Sequence, residues 1–207
     1  MSKSNKIALI TGASSGIGKS LSLELSKEGY ELILSSRNID LLNETADFVQ
    51  RLGGKAHVID MDISDDKSVE KLFIESEKIG FVDVVVNNAG FGKFDKIENL
   101  SIYDWDRQMS VNLRGSFLLT KFFSSPMIRN KKGTIVFVNS VAGKKAYPYS
   151  SAYVASKFGL LGFSRSIRGE LRKHNIKVIS GECDFIQDNV FTPSTFIAHD
   201  PQTPWAH

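Results

Sequence analysis

The chain has 207 residues, 42% hydrophobic and 24% charged, the composition of a globular domain large enough to bury a substantial core. Its net charge of +3 comes from lysines and arginines interspersed with acids, so no nucleic-acid partner is expected. The single cysteine, Cys183, excludes an internal disulfide framework, no apolar run approaches the ~20 residues of a membrane span, and the start lacks a secretory leader, so a cytoplasmic address is expected.

Residues 6–11 form a short apolar strand, followed by Thr11-Gly12-Ala13-Ser14-Ser15-Gly16-Ile17-Gly18 and then by leucines at helical spacing, Leu21 and Leu25. Strand, glycine turn, helix is the resulting order. Glycines there let the backbone turn tightly and let a pyrophosphate approach main-chain N–H groups at the positive end of the helix dipole. The plain alternative is a tight turn without a ligand.

Residues 31–36 form the second strand, which ends in Ser36-Arg37-Asn38, about twenty residues past the glycine turn. A site for NAD carries a carboxylate here to accept from the ribose 2′-hydroxyl, whereas a 2′-phosphate needs that acid absent and a cation present. Arg37 meets the second condition and favours NADP; taken alone it also reads as a solvated strand end. A helix over 39–52 and a strand over 55–61 follow, then Asp62-Ile63. That pair either borders an adenine ring or leaves Asp62 to cap the next helix, which begins near Asp65.

After a helix over 67–79, the apolar run 82–87 suits a strand buried on both faces. It ends in Asn88-Ala89-Gly90, whose small residues leave space for a cofactor across the strand end or make an ordinary turn. A long helix over 103–128 contains Asn112, a modest helix former that either faces solvent or has a specific polar task; pattern alone favours solvent. The strand over 133–139 delivers Ser140 at its carboxyl end, and a helix over 151–173 carries Tyr153, Lys157, Gly159 and Gly162, the glycines allowing close packing. A sixth strand over 176–179 completes the pattern. Alternating strands and helices predict an α/β, doubly wound parallel sheet in the order 3-2-1-4-5-6, covered by helices on both faces.

Tyr153 and Lys157 are four residues apart, so they rise from one helix face. An isolated phenol with a pKa of ~10 is a poor base at neutral pH, and a neighbouring ammonium stabilises the phenolate. Such a pair also arises by chance in a lysine-rich chain, so its meaning depends on what precedes it.

Together, Thr11-Gly12-x-x-x-Gly16-x-Gly18, Asn88-Ala89-Gly90, Asn112, Ser140 and Tyr153-x-x-x-Lys157 resemble the short-chain dehydrogenase/reductase family, from about residue 6 to 180. The resemblance implies a Rossmann-type sheet and an NADP-dependent oxidoreductase that moves hydride between nicotinamide and a small carbonyl or alcohol substrate. By that likeness Tyr153 is the acid/base, Lys157 lowers its pKa and holds the nicotinamide ribose, Ser140 bonds the substrate oxygen and Asn112 supports a water-linked proton path. The implied cofactor set is Gly12, Ser14, Ile17, Arg37, Asp62, Ile63, Asn88, Ala89, Gly90, Tyr153 and Lys157. The nearest branch in look is the generalist carbonyl reducers that include the 3-oxoacyl-carrier-protein reductases, and the family's habit implies a homodimer or homotetramer through the helices over 103–128 and 151–173.

After Ser180 the chain departs from that pattern. It reads Gly-Glu-Cys-Asp-Phe-Ile-Gln-Asp-Asn, where the resemblance leads one to expect a Pro-Gly turn and a threonine, and Thr192-Pro193 comes late. Residues 1–180 are therefore expected to form the dinucleotide-binding and catalytic domain, with 181–207 an atypical, truncated tail, loosely ordered from 194, and a seventh strand missing. An alternative follows from such a tail: an NADP-binding module with impaired catalysis.

Overall fold

A computed structural model describes residues 6–183. Within them run β1 (Ile7–Thr11), α1 (Gly16–Lys27), β2 (Glu31–Ser36), α2 (Ile39–Arg51), β3 (Ala56–Asp60), α3 (Asp66–Ile79), β4 (Val82–Asn87) and α4 (Ile102–Met109). A π-helical segment (Ser110–Arg114) leads directly into α5 (Gly115–Asn130), followed by β5 (Gly133–Ser140), a 3-10 turn (Val141–Gly143), α6 (Ser151–Arg172) and β6 (Ile176–Cys183). All strand pairs are parallel and the order is β3-β2-β1-β4-β5-β6, the doubly wound arrangement expected from the alternation.

The central strands are largely apolar, as suits a sheet with helices on both faces, and their period of two divides the core. From β1, Ile7 and Leu9 enter a cluster with Leu72 of α3, Leu119 and Phe123 of α5, and Leu160 and Ile167 of α6. Ala8 and Ile10 enter the opposite cluster, with Leu21 of α1 and Leu42, Ala46 and Val49 of α2. Local chemistry sets the helix starts: side chains of Asn38, Asp65 and Ser101 accept from the N–H groups of Leu41, Lys67 and Asp104 at the starts of α2, α3 and α4. Among the described residues, no helix is long and apolar enough to cross a membrane.

Three expectations need correction. The long helix expected over 103–128 is continuous but not regular: it widens into a π-helical turn at Ser110–Arg114, which turns Asn112 inward; Asn112 is 1% exposed rather than solvent-facing. Gly159 does permit close packing, since a Cβ there would stand 2.8 Å from Leu113 Cδ2, but a Cβ on Gly162 would meet nothing within 4 Å. The sixth strand, expected over 176–179, continues to Cys183, pairing Asn139 with Glu182 and Ser140 with Cys183. The expectations for 184–207, including Thr192-Pro193 and the loose order from 194, lie outside the described residues.

At the amino end of β2, the Glu31 carboxylate receives Lys55 Nζ and His57 Nε2, each at 2.7 Å. The Lys55 hydrogen bond, against the opposing cost of burial and with help from His57 and both positive charges, holds the Glu31 carboxyl below its usual range. A depressed folded-state value contributes stability that is complete above the unfolded value and vanishes as pH falls through the folded one. Glu31→Gln is therefore expected to lower the thermal midpoint at pH 7. The gap between wild type and variant should close as the pH drops below about 4, as thermal denaturation across pH 3 to 7 would measure.

Candidate active site

Between β1 and α1 the backbone turns through Gly12 and Gly16 at φ of +65° and +52°, the left-handed region that glycine occupies without strain. Gly18 allows the first turn of α1 to lie on that bend: a Cβ there would stand 2.2 Å from the Gly12 carbonyl oxygen. The Ser15 side chain makes no capping bond, so the amino end of α1 is left to its own dipole and N–H donors beside Ser14 and the half-buried Ile17.

Thr11, absent from the expected site residues, joins this turn to the end of β4. Its fully buried hydroxyl donates to the Val86 carbonyl at 3.1 Å and accepts from the N–H groups of Asn88 and Ala89, both at 3.1 Å. The Asn88 amide donates to the carbonyls of Thr11 at 2.8 Å and Gly12 at 3.3 Å. Asn88 thus holds the glycine turn through its side chain, while Ala89 and Gly90 stand at the strand end with little bulk. The only sequence signal for Thr11 was its place at the head of the glycine motif.

Across the sheet, Asn112 accepts from the Phe91 N–H at 3.0 Å and donates to the Phe91 carbonyl at 2.9 Å and to Ser156 Oγ at 3.0 Å. Ser156 in turn donates to the Tyr153 carbonyl at 2.7 Å, so the π-helical turn is tied to the first turn of α6. Lys157 is 6% exposed; its Nζ donates to the Val138 carbonyl at 3.0 Å and stands 5.7 Å from the centre of the Tyr153 ring. Two residues past Val138, Ser140 ends β5 and its Oγ accepts from the Ala142 N–H at 3.1 Å. Asn112, Ser140, Tyr153 and Lys157 are thus brought together at the carboxyl ends of β4 and β5. The bond from Lys157 to a backbone carbonyl and the part of Ser156 carried no signal in the sequence.

At the far end of the same edge, the half-exposed Arg37 stands 3.9 Å from Asp62. Asp62 does not cap α3, a task taken by Asp65; its Oδ1 instead accepts from the Ser64 N–H at 2.9 Å and hydroxyl at 2.7 Å. Burial works to raise the Asp62 carboxyl, but the two Ser64 bonds and the positive charges of Arg37 and Arg107 prevail and hold it below its usual range. Ile63 is buried beside it, against the start of α5, where a Cβ on Gly115 would come 2.5 Å from Ile63 Cγ1.

These residues fit an extended dinucleotide. The uncapped start of α1 suits the diphosphate, and the only charged side chain delivered directly by the β2 end is a cation, which suits a 2′-phosphate. Among the described residues no group of three or more His, Cys, Asp or Glu is placed to hold a metal ion.

Residues 6–194 match the family model for short chain dehydrogenase, so the likeness runs past Ser180. Sepiapterin reductase of Chlorobaculum tepidum is 36% identical over 195 residues, covering 90% of this chain and 78% of that protein. The 3-oxoacyl-acyl-carrier-protein reductase FabG of Thermotoga maritima is 35% identical over 194 residues, covering 92% and 76%. The crystal structure of a metagenomic short-chain oxidoreductase in complex with NADP superposes with a TM-score of 0.83 at 33% identity, covering 87% of this chain and 82% of that one. With the model matched across most of its length and a fold shared with these relatives, the chain belongs to the short-chain dehydrogenase/reductase family of NAD(P)-dependent oxidoreductases.

Proposed function

We propose that the chain is an NADP-dependent reductase of a small carbonyl compound, or the dehydrogenase of its alcohol, with Tyr153 as the acid/base. The observation that carries this reading is the buried Lys157 ammonium, held by the Val138 carbonyl one helical turn from the Tyr153 phenol. When bound, NADPH would supply hydride to the carbonyl carbon. As that carbon is reduced, its oxygen gains negative charge, and donors already aimed at it lower the barrier. Tyr153 gives the oxygen its proton; the ammonium stabilises the phenolate left behind. Ser140 donates to the same oxygen. Asn112 keeps the π-helical turn and the start of α6 in register through Ser156 and supports the path by which the phenolate regains a proton. Ser14 and Ile17 would hold the diphosphate, Asp62 and Ile63 would hold the adenine, and Arg37 would pair the 2′-phosphate. The solved relative in complex with NADP supports the same cofactor here.

The chain also pairs with a second copy through α5 and α6. Between these helices lies an apolar groove lined by Leu113, Phe117, Gly159 and Phe163, with Phe117 43% and the nearby Phe158 44% exposed.

Tyr153→Phe is expected to reduce kcat for NADPH-dependent ketone reduction by about 10²- to 10⁴-fold while NADPH still binds. Steady-state kinetics with a cofactor-fluorescence titration checks both halves, and unchanged turnover refutes the assignment. Arg37→Ala is expected to weaken NADPH binding by about ten- to a hundredfold and to leave NADH nearly unaffected, since only the phosphorylated ribose loses a charge-assisted pair. Titrating both cofactors measures the difference. Phe117→Glu is expected to convert a dimer or tetramer into smaller species, as light scattering coupled to gel filtration would read.

A further inference from the structure

The loop after β4 is tied down at three successive odd positions, each time by a different element. Asn112 of the π-helical turn clasps both backbone groups of Phe91. Gln108 of α4 accepts from the Lys93 N–H through Oε1 at 2.9 Å, while its Nε2 donates to the Asp104 carbonyl at 3.2 Å. The Asp95 N–H reaches the Tyr149 carbonyl at 2.9 Å, with Tyr149 itself in the left-handed region at φ +64°.

Phe94 sits between the second and third ties. Its ring stands edge-on to the Tyr153 ring, centroids 5.7 Å apart at 75°. It also folds back over Gly92, where a Cβ would lie 2.6 Å from the Phe94 ring. Despite these contacts Phe94 is 52% exposed, so apolar aromatic surface remains open on a ring that packs against Tyr153.

Gln108 is fully buried and takes no part in the proton chemistry. An apolar side chain of similar shape would fill its place without the cost of desolvating an amide, so its distinct contribution is the bond to Lys93. That bond fixes the backbone one residue before Phe94.

We propose that Phe94 determines which carbonyl compounds the Tyr153 site accepts, and that Gln108 is its positioning residue. The open ring face receives a flat aromatic substituent on the carbonyl carbon, as an aryl ketone carries, and gives a purely aliphatic ketone less. The inference rests on the reading of Tyr153 as the point of reduction.

The test compares acetophenone with 2-butanone on the full chain in the presence of NADPH. Dissociation constants come from ligand-observed NMR, so binding is read apart from turnover, and KM and kcat are measured alongside. Wild type is expected to prefer acetophenone. Phe94→Ala should reduce that preference about tenfold, with most of the change in acetophenone affinity. Gln108→Met, which keeps the bulk and loses the acceptor, should reduce it about threefold. Equal affinities in wild type, or an unchanged preference in Phe94→Ala, overturns the proposal. A Gln108→Met protein with a lowered thermal midpoint and an intact preference overturns the positioning role. Should that variant fail to fold, the exposed Phe94 still decides the main claim. If the preference depends on Phe94 but no ketone consumes NADPH, the specificity wall stands and the proposed reductase activity falls. If Tyr153-dependent turnover is seen with a preference that Phe94→Ala does not move, the reverse holds.

Discussion

Six parallel strands end on the same edge of the sheet, so every loop that leaves a strand's carboxyl end must share one crowded rim with its neighbours. This direction of travel governs the rest of the molecule. The glycine turn after β1, Arg37 after β2, Asp62 after β3, Asn88 to Gly90 after β4 and Ser140 at the end of β5 are far apart in the chain, yet no long insertion is needed to assemble them. The covering helices do the remaining work. α6 supplies Tyr153 and Lys157 to the rim, and the π-helical turn before α5 supplies Asn112.

Much of this could be read from the residues. Nearly continuous apolar runs such as Val-Asp-Val-Val-Val marked strands covered on both faces, and the glycine spacing placed a turn before a helix. What stayed hidden depends on long-range packing. No local propensity tells that the helix around Asn112 widens by one residue, because the wider turn is selected by partners in Phe91 and Ser156. Gln108 lies in α4 among polar and aromatic residues, and only the fold shows that no solvent reaches it. The continuation of β6 through Ser180, Gly181 and Glu182 was equally opaque, since main-chain pairing with β5 tolerates side chains of weak strand preference.

Charge is arranged along the rim with some economy. At the β3 end, Asp62 is surrounded by Ser64 donors and by the positive charges of Arg37 and Arg107, which keeps it ionised beside a cation. Because Arg37 is more than half exposed and its oxygen partner is 3.9 Å away, the pair is loose, and the guanidinium can turn to a more strongly charged anion without losing much. At the opposite end Lys157 is enclosed, and its ammonium donates to the Val138 carbonyl oxygen, which holds the charge in place beside the Tyr153 ring. One cation is placed to be recruited and the other to act in place.

The wide turn at Ser110–Arg114 also acts as a phase shifter. An α-helix advances about 100° per residue, so one residue added within a continuous helix rotates everything beyond it by that angle. The apolar side chains of α5, among them Leu118, Leu119 and Phe123, face the sheet in a phase that α4 could not have continued into without this extra residue. Loss of a single residue here would therefore turn α5 away from the core while leaving its composition untouched. In this part of the chain length is constrained as well as residue identity, unlike an ordinary surface loop.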